Sequence, residues 1–135
     1  MERGIGVSPV MLISFDIDGT LETGEPPGAV PIALVRRAKG LGYLVGSCSD
    51  RPVRHQQDMW ERLRITVDFT VLKHRLADVK ARFQAAAYYH VGDTDTDELF
   101  ATAAGFRFLR ADVVGHGSSS LTLFTEPPGR GPATR

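Results

Sequence analysis

The chain has 135 residues, 42% hydrophobic and 24% charged, and its 16 basic and 16 acidic side chains cancel to a formal net charge of zero. That length suits one domain burying roughly 68% of its unfolded surface; a neutral chain has no global field to recruit nucleic acid or an anionic membrane, so such a partner needs a local patch. A single cysteine, Cys48, rules out an internal disulfide and a cysteine-based metal cage, and the absence of an apolar stretch near 18 residues or of a basic, apolar leader makes a cytoplasmic protein with no membrane partner the expectation.

Residues 1–9, with Gly4, Gly6 and Pro9, read as a flexible lead, and residues 125–135, TEPPGRGPATR, have the composition of a disordered tail. The working domain is therefore 10–124. Residues 10–16 form an apolar run that predicts a buried strand. Val30, Leu34, Ala38 and Leu41 recur at helical spacing, with Pro31 in the first turn and Gly42 as the stop. GYLVGSCS is a second buried strand. After Pro52, Val53, Gln56, Met59, Trp60 and Leu63 share one helical face, and ITVDFTVL from Ile65 is rich in β-branched and aromatic residues. A helix over His74–Phe83 follows, then the strand AYYHVGD, a helix over TDTDELFATAA with acids in its first turn and Gly105 behind it, and the strand FRFL; LTLF at 121–124 adds one more. Strands alternating with helices predict an α/β fold, a three-layer Rossmann-like parallel sheet with helices on both faces. No repeat is present, and no glycine-rich dinucleotide fingerprint follows the first strand.

In such a sheet ligands bind outside the carboxyl ends of the strands. There the sequence places Asp16 and Asp18, then Ser49, Asp50 and Arg51, then Asp93, Asp95 and Asp97. Carboxylates converging at one sheet edge repel one another unless a cation joins them, and all-oxygen ligation is the preference of magnesium. A metal there lowers the cost of ionising Asp16, making it a nucleophile, and neutralises a phosphoryl group. Turn chemistry explains Asp18-Gly19 but not an acid at Asp16 after an apolar strand. For Asp93 to Asp97 the competing explanation is helix capping and dipole compensation.

The stretch DIDGT at 16–20 resembles the first motif of the haloacid dehalogenase superfamily of phosphohydrolases. YLVGSCS, ending in Ser49 and continuing as SDRP, resembles its second motif, and VGDTDTD its fourth, with Asp93 and Asp97 as the acid pair. The third motif is a lysine: Lys73, directly after a strand, or Lys80 inside the next helix. The resemblance implies a magnesium-dependent phosphomonoester phosphatase. Asp16 would attack phosphorus and form an aspartyl-phosphate; Asp18 would protonate the leaving group and then activate water. Asp16, the Asp18 carbonyl and Asp93 would hold the metal, with Asp97 direct or through water. Ser49, or Ser47 if the register slips, would bond a phosphoryl oxygen, and Lys73 would offset charge. The segments Leu21–Gly42 and Arg51–Leu72 leave no room for a cap domain. A capless member uses an open site for a large substrate, such as a nucleic-acid end or a phosphoprotein, or borrows a neighbouring subunit of a homo-oligomer as its lid. A slow or inactive regulatory domain is the rival from another class.

Arg51, Arg54, His55, His74 and Arg75 could line a phosphate-facing rim, and the GEPPG loop at 24–28 could gate it. Cys48 reads as a buried filler, and Tyr88, Tyr89 and His90 as core residues.

Overall fold

Met11–Phe15 carries no side chain that needs water, and it forms strand β1, buried along its whole length. Four more strands follow, β2 (Leu44–Ser49), β3 (Phe69–Leu72), β4 (Ala87–Gly92) and the partly exposed edge strand β5 (Arg107–Arg110). Between and after them lie helices α1 (Ile32–Gly40), α2 (Val53–Leu63), α3 (Leu76–Arg82), α4 (Asp95–Ala103) and α5 (Ala111–His116). The computed structural model describes residues 10–116 and Phe124. All strand pairs are parallel, and the five-stranded sheet runs β3-β2-β1-β4-β5. The chain winds outward from β1 to β3, then crosses back to β4. Strand order thus reverses between β1 and β4, the switch point where a Rossmann-like sheet leaves a crevice.

Side chains alternate across the sheet, so each strand feeds two cores. Ile13 and Phe15 join Val45 and Val91 under α1, α2 and α5, whereas Leu12 joins Cys48, Phe69 and Val71 under α3 and α4. Helices therefore cover both faces. Ser14 and Asp16, in phase with Leu12, belong to the α3/α4 side, which decides what Asp16 can meet. Among the described residues, no helix is long and apolar enough to cross a membrane. The segments after Asp18 and Ser49 hold a short loop with α1, and α2 with β3. No inserted domain occurs there.

Several boundaries differ from the sequence expectation for local reasons. Pro31 is the N-cap of α1 rather than a first-turn residue, because Val30 is drawn into an isolated parallel bridge with Leu21. Leu41, expected on the buried face, caps the helix and is 56% exposed. The strand expected from Ile65 starts only at Phe69. The Asp68 carboxylate takes the Val45 N–H at 2.9 Å and the Lys39 ammonium at 3.2 Å, using the donor that a longer strand would have paired. The helix expected from His74 starts at Leu76, after a 3-10 turn over Lys73–Arg75. Helix α5 has only Ala111 and Val114 buried, too few positions to reveal a period. Residues 1–9, 121–123 and 125–135 of the expected lead, last strand and tail lie outside the described residues; Phe124 is buried edge-on against Tyr89, ring centroids 5.1 Å apart.

Helix α2 is fixed to the sheet through polar groups. Buried Gln56 donates to the carbonyls of Arg51 (2.9 Å) and Val71 (3.0 Å) and accepts from Ser47 Oγ (2.6 Å), which accepts from Trp60 Nε1 (2.9 Å). Removing one side chain orphans several buried groups, each costing roughly 1–3 kcal/mol. We predict that Gln56→Leu lowers the urea midpoint by the equivalent of about 3 kcal/mol at unchanged slope. The exposed neighbour change Gln57→Ala should cost under about 0.5 kcal/mol.

Candidate active site

β1 delivers Asp16 to the switch point. Its N–H continues the ladder by donating to the Val91 carbonyl at 2.9 Å, and the residue is 4% exposed. Gly19, at φ 78°, then turns the chain; a Cβ there would lie 2.1 Å from an Asp93 carboxylate oxygen, so only glycine lets that acid come close. Gly92 does the same for Asp97, whose Cγ would be 2.5 Å from an added Cβ. Asp16, Asp93 and Asp97 can each offer one oxygen so that all three lie within 4.8 Å of one another. The buried Thr20 hydroxyl sits between two of them, 3.3 Å from Asp16 Oδ2 and 3.4 Å from Asp93 Oδ1, and its one proton serves one acid at a time.

Asp97 is both a cap and part of the site. Its Oδ2 accepts from the N–H groups of Asp93 (3.1 Å) and Thr94 (3.2 Å) and from the Thr94 hydroxyl (3.0 Å), while its own N–H donates to Thr94 Oγ1. This is a capping box. Its Oδ1 faces the Lys73 ammonium at 3.1 Å and His90 Nε2 at 3.4 Å. The capping explanation and the site explanation of this acid are thus fulfilled by opposite oxygens. His90 Nδ1 in turn meets Ser14 Oγ at 2.9 Å, which fits Nε2 as the protonated nitrogen.

Lys73 stands at the carboxyl end of β3, 3.9 Å from Asp16 Oδ1 and 3.6 Å from the exposed Asp50 carboxylate. Lys80 points elsewhere: it donates to the Gly105 carbonyl and lies over the Tyr88 ring. Ser49 is buried and accepts the Arg51 N–H at 3.0 Å, leaving its hydroxyl proton for another acceptor. Ser47 is committed to Gln56 and Trp60. Asp18 is half-buried and turned outward: Arg51 donates to it twice, at 2.7 and 3.2 Å, and the Glu25 N–H donates at 2.8 Å.

Burial first, and charge crowding second, set the electrostatics. Burial and then the Asp97 charge push the Asp16 carboxyl from 3.8 up to about 8, against the opposing pull of Lys73. Burial also raises Asp97, but the His90 hydrogen bond and the Lys73 charge outweigh it and hold that carboxyl below the usual range. Burial lowers Lys73, and the charges of Asp16 and Asp97 more than restore it. The Arg51 hydrogen bonds keep Asp18 below its ordinary value. Burial pushes the Cys48 thiol up to about 12, so it stays protonated and inert.

The cluster fits a hard divalent cation. Its donors are all carboxylate oxygens, and burial, with the neighbouring acids second, keeps one of them from ionising at neutral pH unaided. Asp16 and Asp93 have oxygens to offer directly, whereas both Asp97 oxygens already accept hydrogen bonds.

Asp16, Asp93 and Asp97 therefore come together with Lys73, while Ser49 closes strand β2 and Asp18 lies at the rim. Asp95 pairs with Arg110 at 2.7 Å and faces away. Of the expected basic rim, Arg51 and His55 line a groove beside Asp18. Arg75 pairs with Asp78, and Arg54 lies on another face of α2 with Trp60 and Glu61. The loop over residues 24–28 is tied down: Gly24 and Gly28 N–H groups both donate to the Leu21 carbonyl, and Gly19 donates to Pro26. Sequence reasoning assigned no part to Thr20 and placed His90 in the core. The available signal for His90 was a polar residue in register with Ser14 on the neighbouring strand.

No protein-family model matches the chain, and no curated protein matches it significantly.

Asp16 makes a pH-dependent prediction. Its carboxyl titrates near 3.8 when unfolded and about 8 when folded, so between those values the unfolded chain has released a proton that the metal-free fold retains. Stability must fall as pH rises through that window. Asp16→Asn lacks this penalty. Thermal midpoints in chelator should show the variant ahead of the native chain by a margin that grows from about pH 4 to about 8 and then levels. Saturating magnesium should shrink the margin by stabilising only the native chain.

Proposed function

We propose that the protein is a magnesium-dependent phosphomonoester hydrolase of the haloacid dehalogenase superfamily, acting through an aspartyl-phosphate on Asp16. The observation that carries this reading is the gathering of Asp16, Asp93 and Asp97 with Lys73 at the sheet's switch point, the lysine 3.9 Å from the proposed nucleophile.

Asp16, Asp93 and the Asp18 carbonyl would hold magnesium, with Asp97 direct or through water, and the bound ion would neutralise phosphoryl charge and keep Asp16 ionised. Asp16 would then attack phosphorus in line. The free hydroxyl proton of Ser49 would bond a phosphoryl oxygen, and Lys73 would reduce repulsion between nucleophile and phosphate. Asp18, an ionised carboxylate while Arg51 holds it, would first take up a proton from solvent, then protonate the leaving oxygen and afterwards take a proton from the hydrolytic water, a role worth typically about 100- to 10,000-fold. His90 would position: held by Ser14, it orients Asp97, which orients Lys73. Chemistry of this kind depends on placement and electrostatics more than on bond-making by the protein.

The test is release of phosphate from an aryl phosphate with magnesium and with chelator. The native chain should turn over only with magnesium. Asp16→Asn should fall to background, and Lys73→Ala should lose at least about 100-fold in kcat. Equal, near-background rates in all samples would overturn the reading.

A further inference from the structure

Asp18 has the leaving-group position in the proposed chemistry, yet both of its carboxylate oxygens are engaged by the protein itself. Arg51 grips it with Nη2 at 2.7 Å and Nε at 3.2 Å, and the 24–28 loop contributes the Glu25 N–H at 2.8 Å. The root of Arg51 is immobilised. Its N–H donates to Ser49 Oγ at 3.0 Å and its carbonyl accepts from Gln56 at 2.9 Å. Among the described residues its guanidinium donates hydrogen bonds to Asp18 alone, and the side chains of that pair are 22% and 38% exposed. Pairs at that exposure contribute little stability, whereas the oxygens of a phosphoryl dianion match the two-pronged guanidinium and carry twice the charge. There is also room to move: a groove of about 360 Å³ opens beside the pair, walled by Thr23, by Glu25 of the 24–28 loop and by His55 and Arg62 of α2.

We propose that Arg51 is a substrate-binding residue, and that its guanidinium exchanges Asp18 for the non-bridging oxygens of an incoming dianionic phosphomonoester. The inference rests on the phosphatase reading and extends it. Pinned beside Ser49, the arm reaches the phosphoryl position without moving its backbone. The same exchange frees the Asp18 carboxylate to turn toward the leaving oxygen. A phosphodiester, with one charge and fewer free oxygens, competes less well for the guanidinium.

The experiment is calorimetric titration of inorganic phosphate, in saturating magnesium, into the native chain, Arg51→Gln, Asp18→Asn and the double variant, alongside aryl phosphate turnover by the native chain. Arg51→Gln should weaken phosphate binding about tenfold or more. Asp18→Asn, which removes the resting partner, should tighten it severalfold, and this gain should vanish when Arg51 is also replaced. If Arg51→Gln does not fold, Arg51→Lys carries the test, since it keeps the charge but loses the fork and should still weaken binding. Unchanged affinity in the Arg51 variants overturns the proposal, as does a gain from Asp18→Asn that persists without Arg51, the mark of plain charge repulsion. In either case native turnover leaves the phosphatase reading standing. A native chain that neither hydrolyses the ester nor binds phosphate overturns both.

Discussion

Three carboxylates that repel one another at the end of a buried strand are the constraint around which the molecule is arranged. Asp16 cannot retreat, because the ladder to Val91 holds its backbone. Asp93 and Asp97 are brought in by glycines that remove the side chains otherwise in their way. What makes the cluster tolerable is a set of local donors: Thr20 between two acids, Lys73 against two, and three hydrogen bonds from the 93–94 segment onto one Asp97 oxygen. Even so, Asp16 remains strongly disfavoured as an anion. The fold stores a local electrostatic deficit that a cation is suited to relieve.

Sheet topology makes this possible at moderate cost. Parallel strands all point their carboxyl ends the same way, so residues after β1, β2, β3 and β4 meet at one edge although they are spread from position 16 to position 97. Alternation along β1 then assigns Asp16 to the α3/α4 side, where Lys73, His90 and Asp97 stand. A one-residue slip of β1 would turn Asp16 toward Trp60 and the other core. The α2 anchor, through Gln56 and Ser47, fixes the opposite wall and with it the root of Arg51.

The layered α/β architecture and most elements were readable from periodicity because each strand is a short apolar run and each helix shows a buried stripe. Boundaries failed where a side chain replaced a backbone partner, as at Asp68, and α5 was missed altogether because two buried residues were its whole signal. Asp16, Ser49, Lys73, Asp93 and Asp97 could be picked out singly, since each lies at or within a few residues of a strand's carboxyl end. Their partnerships could not. The Ser14–His90 contact joins residues 76 apart, and the Arg51–Asp18 pair joins residues 33 apart in sequence. Only the register of β1 against β4 and the entry of α2 decide such meetings. His90 looked like core because it is core; its place under Asp97 is a property of the assembled sheet.

The central position of β1 has a consequence for how the chain matures. β1 pairs with β2 across about thirty residues and with β4 across 76, so the contact that completes the sheet's middle is also its most remote in sequence. Loop closure makes such pairings slow relative to local ones. While the chain is being synthesised from its amino terminus, β1, β2 and their helices can associate before Asp93 and Asp97 exist. The acidic cluster is therefore absent from every partly made or partly folded form that lacks β4, and the capacity to hold a cation arises together with the docking of that strand.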